Sequence, residues 1–126
     1  MGVPTVTPLN EQWHDGGFIV SEANGHLSRD QVSLTGAVQI LAGTVLGQKT
    51  TGGKFAPLAP ASADGTQVAA GILFGTRDVI AADKNGVAVV RSAEVNLSEL
   101  IWPVGATQAQ IVTATAQLKA LNIITR

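Results

Sequence analysis

The stretch Val45-Leu-Gly-Gln-Lys-Thr-Thr-Gly-Gly53 decides the fold class, because a short run suited to a β-strand is followed at once by residues suited to a turn. Two consecutive glycines adopt positive φ at little steric cost, and a tight reversal of the chain needs such conformations. A strand over residues 45–49 that ends in a turn at 51–53 is typical of a β-rich domain.

The same alternation of short apolar runs and turn residues extends through most of the chain. Further strands are predicted near residues 18–21, 26–34, 68–73 and 87–91. Further turns are predicted at Asn24-Gly25, Asp64-Gly65 and Asn85-Gly86, since each pair holds a residue that tolerates positive φ. The glycines of Gly71-Ile-Leu-Phe-Gly75 precede no helix, so we expect them to mark a bulge or a close backbone approach and not a phosphate-binding loop.

The pattern becomes helical in the last third of the chain. A short helical turn is predicted within residues 95–102, with Pro103 as its stop. A longer helix is predicted over 107–120, because Thr107 and Gln110 form a capping box and Ile111, Val112, Thr115 and Leu118 fall on one face. A last strand is predicted at 122–125, so the fold class is mainly β with one or two short C-terminal helices.

The N-terminal segment has a different character from the rest. Residues 1–16 alternate Val and Thr, lack helical periodicity and contain Pro4 and Pro8, which fix φ and remove backbone donors. We therefore predict an extended N-terminal arm over residues 1–16 and a single β-rich domain over 17–126.

Composition points to a protein that contacts other subunits. The chain has 126 residues, of which 45% are hydrophobic and 13% charged, about half the charged share of about 25% that is usual for a soluble domain. A small domain with so few charges exposes apolar surface, which favours assembly. The formal net charge is −1 and the basic residues are scattered singly, so we expect no nucleic-acid partner.

The residues that usually carry catalysis or bind metals are sparse. Cysteine is absent and His14 and His26 are the only histidines. His26, Ser28 and Asp30 contain the letters of a hydrolytic triad, but at alternate positions of a strand they lie side by side and cannot form one hydrogen-bonded line. We expect no catalytic residue, no cofactor and no metal. The N-terminus lacks a basic segment followed by an apolar one, so no signal peptide and no membrane partner are expected.

Six segments of the chain share their order and spacing with a known protein family. They are Leu41-Ala-Gly-Thr-Val-Leu-Gly47, Thr51-Gly-Gly-Lys-Phe-Ala-Pro-Leu58, Asp64-Gly65, Ala70-Gly-Ile-Leu73, Arg91-Ser-Ala-Glu-Val95 and Leu100-Ile-Trp-Pro103. Together these segments resemble the head decoration proteins of lambda D type from bacteriophages. Their order and spacing resemble that family's strand-turn-strand core, its closing strand and its Leu-Trp-Pro signature. The resemblance covers residues 25–126, whereas the arm and the segment 17–22 match less well.

The resemblance implies a β-clip-like fold with small helices and a homotrimer without catalytic activity. It implies binding to the major capsid (coat) protein at local three-fold positions of the expanded head, where such proteins act as a cement against the pressure of packaged DNA. The implied location is the capsid exterior of the virion, after assembly in the host cytoplasm.

Two groups of residues are candidates for the contacts that such a role requires. If the arm lies as a strand along an open edge of a coat-protein sheet, its capsid contacts are Val3, Pro4, Thr5, Val6, Thr7, Pro8 and Leu9. The candidates for core or trimer-interface anchors are Leu100, Trp102 and Pro103, since a tryptophan before a proline favours an anchoring role.

Two alternatives of other classes stay open. A small trimeric β-fold enzyme of the dUTPase-like type has a related architecture, but it uses a base-stacking aromatic residue and a glycine-flanked acidic motif. This chain has no Tyr and no such motif. A receptor-binding or sugar-binding virion domain is disfavoured, because the chain has only two Trp and three Phe.

Overall fold

The computed structural model describes residues 15–126, which contain ten strands, one 3₁₀ turn and one α-helix. The strands are β1 (Ile19–Glu22), β2 (Arg29–Leu34), β3 (Gln39–Ile40), β4 (Val45–Gln48), β5 (Phe55–Pro57), β6 (Ala69–Leu73), β7 (Arg77–Asp78), β8 (Lys84–Val89), β9 (Ala93–Val95) and β10 (Ile123–Thr125). The 3₁₀ turn is Leu97–Glu99 and helix α1 is Gln108–Ala120. The predicted mainly β fold class with a C-terminal helix is confirmed.

A closed five-stranded barrel in the order β2-β5-β4-β6-β8 is the centre of the fold. Strand β2 closes it, because β2 pairs antiparallel with β8 along its whole length and parallel with β5 at Leu34 and Phe55. A three-stranded sheet in the order β1-β9-β10 lies beside the barrel, with β1 antiparallel and β10 parallel to β9. Strands β3 and β7 form a small antiparallel pair.

Two hydrophobic cores share the walls of the barrel. Successive side chains of a strand point to opposite faces, so Val45 and Leu46 of β4 belong to different clusters, as do Ile72 and Leu73 of β6. One cluster consists of Val32, Leu34, Ile40, Leu46, Phe55, Leu73, Val79 and Ala88. The other joins the barrel to the three-stranded sheet and helix α1 through Phe18, Val45, Leu58, Ala69, Ile72, Val89, Ala93, Val95, Leu100, Ala114, Leu118 and Ile123.

Helix α1 begins at the predicted capping box. The Gln110 backbone N–H donates to the Thr107 hydroxyl at 3.2 Å, and the Thr107 backbone N–H donates to the Gln110 side-chain oxygen at 3.0 Å. The predicted core face is wrong in part, because the helix buries Ala114 and Leu118 and leaves Val112 57% exposed. The helix faces the core with Ala114 and Leu118, so Val112, two positions before Ala114, faces outward.

Three of the predicted turns are confirmed and one is wrong. Gly25, Gly52 and Gly65 lie outside strands with positive φ. The Asn85-Gly86 turn is wrong, because both residues belong to strand β8 and Gly86 is not among the residues with positive φ. The alternation of apolar residues does not predict the short strands β3, β5, β7 and β9, since runs of two or three residues carry too little alternation to be recognised. Strands β5 and β9 fall in the segments 51–58 and 91–95 that resemble strands of the family.

The glycine at position 86 is required by a neighbouring side chain and not by a turn. A Cβ atom built on Gly86 lies 2.6 Å from Cδ1 of Leu34, which is fully buried. Gly71 meets the expectation for its segment, since it adjoins the bulge between β4 and β6, and a Cβ there lies 2.9 Å from the Val89 carbonyl oxygen. Close approach therefore explains both glycines.

We predict that Gly86→Ala destabilises the domain by about 2 kcal/mol, because the added methyl group forces Leu34 out of its position in a packed core. The measurement is the free energy of unfolding in urea.

The matched comparison is the double variant Gly86→Ala/Leu34→Val. The smaller valine leaves room for the new methyl group, so the double variant is expected to lose less stability than the two single losses add up to. Strictly additive losses would contradict the proposed contact.

Candidate functional site

The seven capsid-contact candidates of the arm, from Val3 to Leu9, lie outside the described residues, as do Trp13 and His14. The described chain begins at Asp15, and we call Asp15 and Gly16 the root of the arm. The Gly16 backbone N–H donates to the Phe74 carbonyl oxygen at 2.9 Å, and the Ile19 N–H donates to the Gly16 carbonyl oxygen at 3.0 Å. The last residue of the predicted arm, Gly16, is thus hydrogen-bonded to the residue that follows barrel strand β6.

Gly16 is held against an aromatic ring. Its φ is +66°, and a Cβ atom built on it lies 2.5 Å from Cε2 of Phe74. Any side chain at this position would be strained by the backbone conformation and would also overlap the ring. The sequence therefore needs glycine where the arm meets the domain.

The Phe74 ring also contacts Arg29, which forms an ion pair with Glu22. The Arg29 guanidinium carbon lies 3.9 Å from the centroid of the Phe74 ring, a cation–π distance. Arg29 donates through Nε to Glu22 Oε2 at 3.0 Å and through its terminal nitrogen to Glu22 Oε1. The buried Ser28 hydroxyl donates to the same carboxylate at 2.5 Å. We call Gly16, Glu22, Arg29 and Phe74 the junction cluster.

The charges of the junction cluster stabilise one another. The hydrogen bond from Arg29 is the main cause that lowers the pKa of Glu22, and the Ser28 hydroxyl and the positive charge of Arg29 act in the same direction. Desolvation by burial opposes them. Both side chains of the pair are mostly shielded, with 26% of Arg29 and 20% of Glu22 exposed, so solvent screens this pair less than an open surface pair.

The anchor candidates lie where a loop crosses the second core cluster. Leu100 is 7% exposed and belongs to that cluster, while Trp102 is half-buried and packs against it. Ile101 pairs with Thr44 in a parallel bridge, which fixes the loop to the barrel. Pro103 is half-buried and the following Val104 is fully exposed. The structure places these residues at the edge of the core, and their role in a subunit interface stays a prediction.

The described surface carries apolar side chains in several places. Its large exposed hydrophobic residues are Val20, Leu27, Val38, Val68, Ile80, Leu97, Val104 and Val112. A groove of about 280 Å³ runs between helix α1 and the loop before β6, lined by Leu58, Pro60, Gln67, Val68, Ala109, Gln110, Thr113, Ala114 and Gln117. All of these lining residues are uncharged, in keeping with the low charge of the chain.

The residues with triad letters do not converge. Ser28 is buried and bonded to Glu22, whereas Asp30 is exposed and accepts hydrogen bonds from Arg91 at 2.7 and 3.1 Å. His26 is exposed. Within residues 15–126, no three His, Asp or Glu side chains are grouped so as to hold a metal ion. No helix of that part of the chain is long and apolar enough to cross a membrane.

Comparison with known families identifies the class of protein. A family model described as bacteriophage lambda head decoration protein D matches residues 8–123, which include the barrel, the three-stranded sheet and helix α1. The chain belongs to this family and is a phage head decoration protein, a structural protein of the virion capsid. The search of curated proteins found no match.

The junction cluster was not predicted from the sequence. The sequence pattern places Gly16-Gly17 at the end of the arm and Phe74 in an apolar run, and it indicates no contact between them. The one available signal was the acid–base pair Glu22 and Arg29 around the Asn24-Gly25 turn. A hairpin-like reversal brings such residues together, but nothing local indicates that Phe74 lies beneath them.

We predict that acid weakens the junction cluster. Glu22 has a lowered pKa in the folded state, so its ionised form adds stability above about pH 4.5, its ordinary value, and this stability is lost as the pH falls through the lower folded-state pKa. The difference in Tm between the wild type and Glu22→Gln should be largest at pH 7 and should shrink toward about pH 3.

The matched control is Glu99→Gln, at an exposed carboxylate in the 3₁₀ turn. It should change Tm little at either pH. If the difference in Tm between the wild type and Glu22→Gln grows as the pH falls, the stabilising role of the ionised Glu22 carboxylate is contradicted.

We predict that Trp102→Ala costs about 2 kcal/mol of stability, less than the about 3–5 kcal/mol of a fully buried tryptophan, because the ring is half-buried against the core. Thermal and urea unfolding measure the loss. Val104→Ala, at a fully exposed neighbour, is the control and should change stability by less than about 0.5 kcal/mol. Equal effects of the two variants would show that Trp102 anchors nothing in the single subunit.

Proposed function

We propose that this decoration protein binds the expanded phage head as a homotrimer at local three-fold sites and stabilises it against the pressure of packaged DNA. The observation that carries the proposal is the family match over residues 8–123. The few charges of the chain and its exposed apolar side chains support assembly with other subunits.

The proposed mechanism is multivalent bridging. One subunit binds the coat protein weakly, whereas three linked subunits bind together, since the first contact gives the other two a high effective concentration at the surface. A trimer on a three-fold axis contacts several coat subunits at once. Separating those coat subunits under internal pressure then requires that decoration contacts break as well.

The arm supplies the proposed specific contact with coat protein. Residues Val3 to Leu9 lie as an extended strand along an open edge of a coat-protein sheet, where backbone hydrogen bonds hold them. Pro4 and Pro8 are compatible with such a position, because an added edge strand leaves one row of its backbone groups unpaired. Each hydrogen bond adds about 0.5–1.5 kcal/mol net.

The loop from Leu100 to Pro103 supplies a proposed anchor for the trimer. Leu100 and Trp102 attach this loop to the core, and the exposed Val104 continues its apolar surface outward. Burial of such a loop between subunits removes apolar area from water without placing charges in the interface. The proposed setting is the capsid exterior, reached after assembly in the host cytoplasm, with no nucleic acid, membrane or cofactor involved.

Expanded and unexpanded heads of the phage that carries this protein provide the test. Co-sedimentation should show binding to expanded heads that saturates at three copies per local three-fold site, and native mass spectrometry should show the bound species as a trimer. DNA-filled heads should lose DNA at a lower temperature without the protein than with it. Binding that does not saturate, or an unchanged temperature of DNA loss, would refute the proposal.

We predict that deleting residues 1–14 leaves a folded domain and sharply reduces capsid binding. Backbone that pairs only with a partner adds little to the isolated domain, so the domain is expected to fold without the arm. Circular dichroism, native mass and co-sedimentation are the measurements.

Replacing residues 1–14 by a Gly/Ser stretch of equal length is the matched control, since it restores length without the arm's side chains. Because it keeps the backbone groups of an edge strand and loses the side-chain contacts, this variant should bind more weakly than the wild type and no more weakly than the deletion. Binding at wild-type strength by the deletion would refute the role of the arm, and binding at wild-type strength by the Gly/Ser variant would refute a role of the arm's side chains. Loss of folding would mean that Val3 to Leu9 belong to the domain's own sheets.

A further inference from the structure

The root of the arm is fixed more firmly than a simple tether requires. Asp15 and Gly16 form a turn with the following residues, closed by the hydrogen bond from the Ile19 N–H to the Gly16 carbonyl oxygen. A second hydrogen bond, from the Gly16 N–H to Phe74, ties this turn to the barrel. Two backbone hydrogen bonds at one residue set both the position and the orientation of the chain there.

Side chains restrict the same point from two directions. The Phe74 ring packs so closely on Gly16 that a Cβ atom there would lie 2.5 Å from Cε2. The Asp15 carboxylate lies over Gly75, where a Cβ atom would come within 3.0 Å of Oδ2. Two glycines thus allow the root of the arm and the end of β6 to approach each other closely.

The junction cluster also joins the two main sheets. Glu22 ends β1 of the three-stranded sheet, Arg29 begins β2 of the barrel, and Phe74 directly follows β6 of the barrel. The ion pair and the cation–π contact therefore connect the arm's root to both sheets at once. The direction in which the chain enters the domain is consequently fixed relative to the whole body of the protein.

We propose that the junction cluster is a positioning site, which sets the direction in which the arm leaves the domain toward coat protein. This inference rests on the proposed function of the arm. Multivalent binding requires that the arms of one assembly reach their sites together, and the effective concentration of each arm falls when its starting direction is free. A fixed root limits the volume that the arm explores and so favours simultaneous contact.

The test changes the connection between the arm and its root and leaves the junction cluster intact. Two glycines inserted between His14 and Asp15 separate the arm from its fixed root, and the same two glycines placed before Met1 form the matched control. The full chain with the insertion should bind expanded heads about tenfold more weakly than the wild type. The control should bind with the wild-type Kd, and both variants should keep the wild-type Tm.

A second variant weakens the attachment of the root of the arm by a substitution within it. Gly16→Ala places a methyl group against Phe74, so we expect the Gly16 amide to lose its protection from hydrogen exchange and capsid binding to weaken about tenfold. If the Gly16→Ala variant loses the hydrogen-exchange protection of this amide but binds heads with the wild-type Kd, the proposal is overturned. If Gly16→Ala does not fold, the insertion variant alone decides.

The outcomes separate this inference from the proposed function. Weak binding by both the arm deletion and the insertion variant supports the positioning role. Weak binding by the deletion together with wild-type binding by the insertion variant overturns the positioning role and leaves the role of the arm standing. Wild-type binding by the arm deletion refutes the role of the arm, and the positioning role with it.

Discussion

The pairing of Leu34 with Phe55 closes the barrel, and the packing of Leu34 on Gly86 fits the closing strand against β8. Leu34 is fully buried at the point where β2 meets both β5 and β8, the only place where β2 and β5 pair within the described residues. Its side chain occupies the space that a Cβ atom on Gly86 would need. The missing side chain of one strand therefore makes room for the large side chain of its neighbour.

Closure of the barrel determines what can be attached to it. Val45 of β4, Ile72 of β6 and Val89 of β8 belong to the cluster that also contains side chains of helix α1 and of the three-stranded sheet. Helix α1 contacts β6 directly. Phe74, directly after β6, contacts both the root of the arm and Arg29. A rigid body with one fixed point of attachment is well suited to a decoration protein, which must present short contacts to a large and regular surface.

Local features were predictable from the sequence, and features set by distant contacts were not. The capping box of Thr107 and Gln110 and the turns at Gly25 and Gly65 depend on a few neighbouring residues, and the structure has them where they were predicted. The local sequence predicts a turn at Gly86, whereas the structure needs glycine there because of the side chain of Leu34, which is far away in sequence. The family was recognisable from the order of several short segments, whereas the junction cluster depends on Phe74 meeting residues that lie more than forty positions earlier.

A cryo-electron microscopy reconstruction of expanded heads incubated with the purified protein tests the central claim most directly. The protein should appear as three copies around every local three-fold axis, each with its barrel outside the coat layer and with density running from Asp15 to a coat-protein sheet edge. Unoccupied three-fold positions, or single copies bound at other positions of the lattice, would contradict this account.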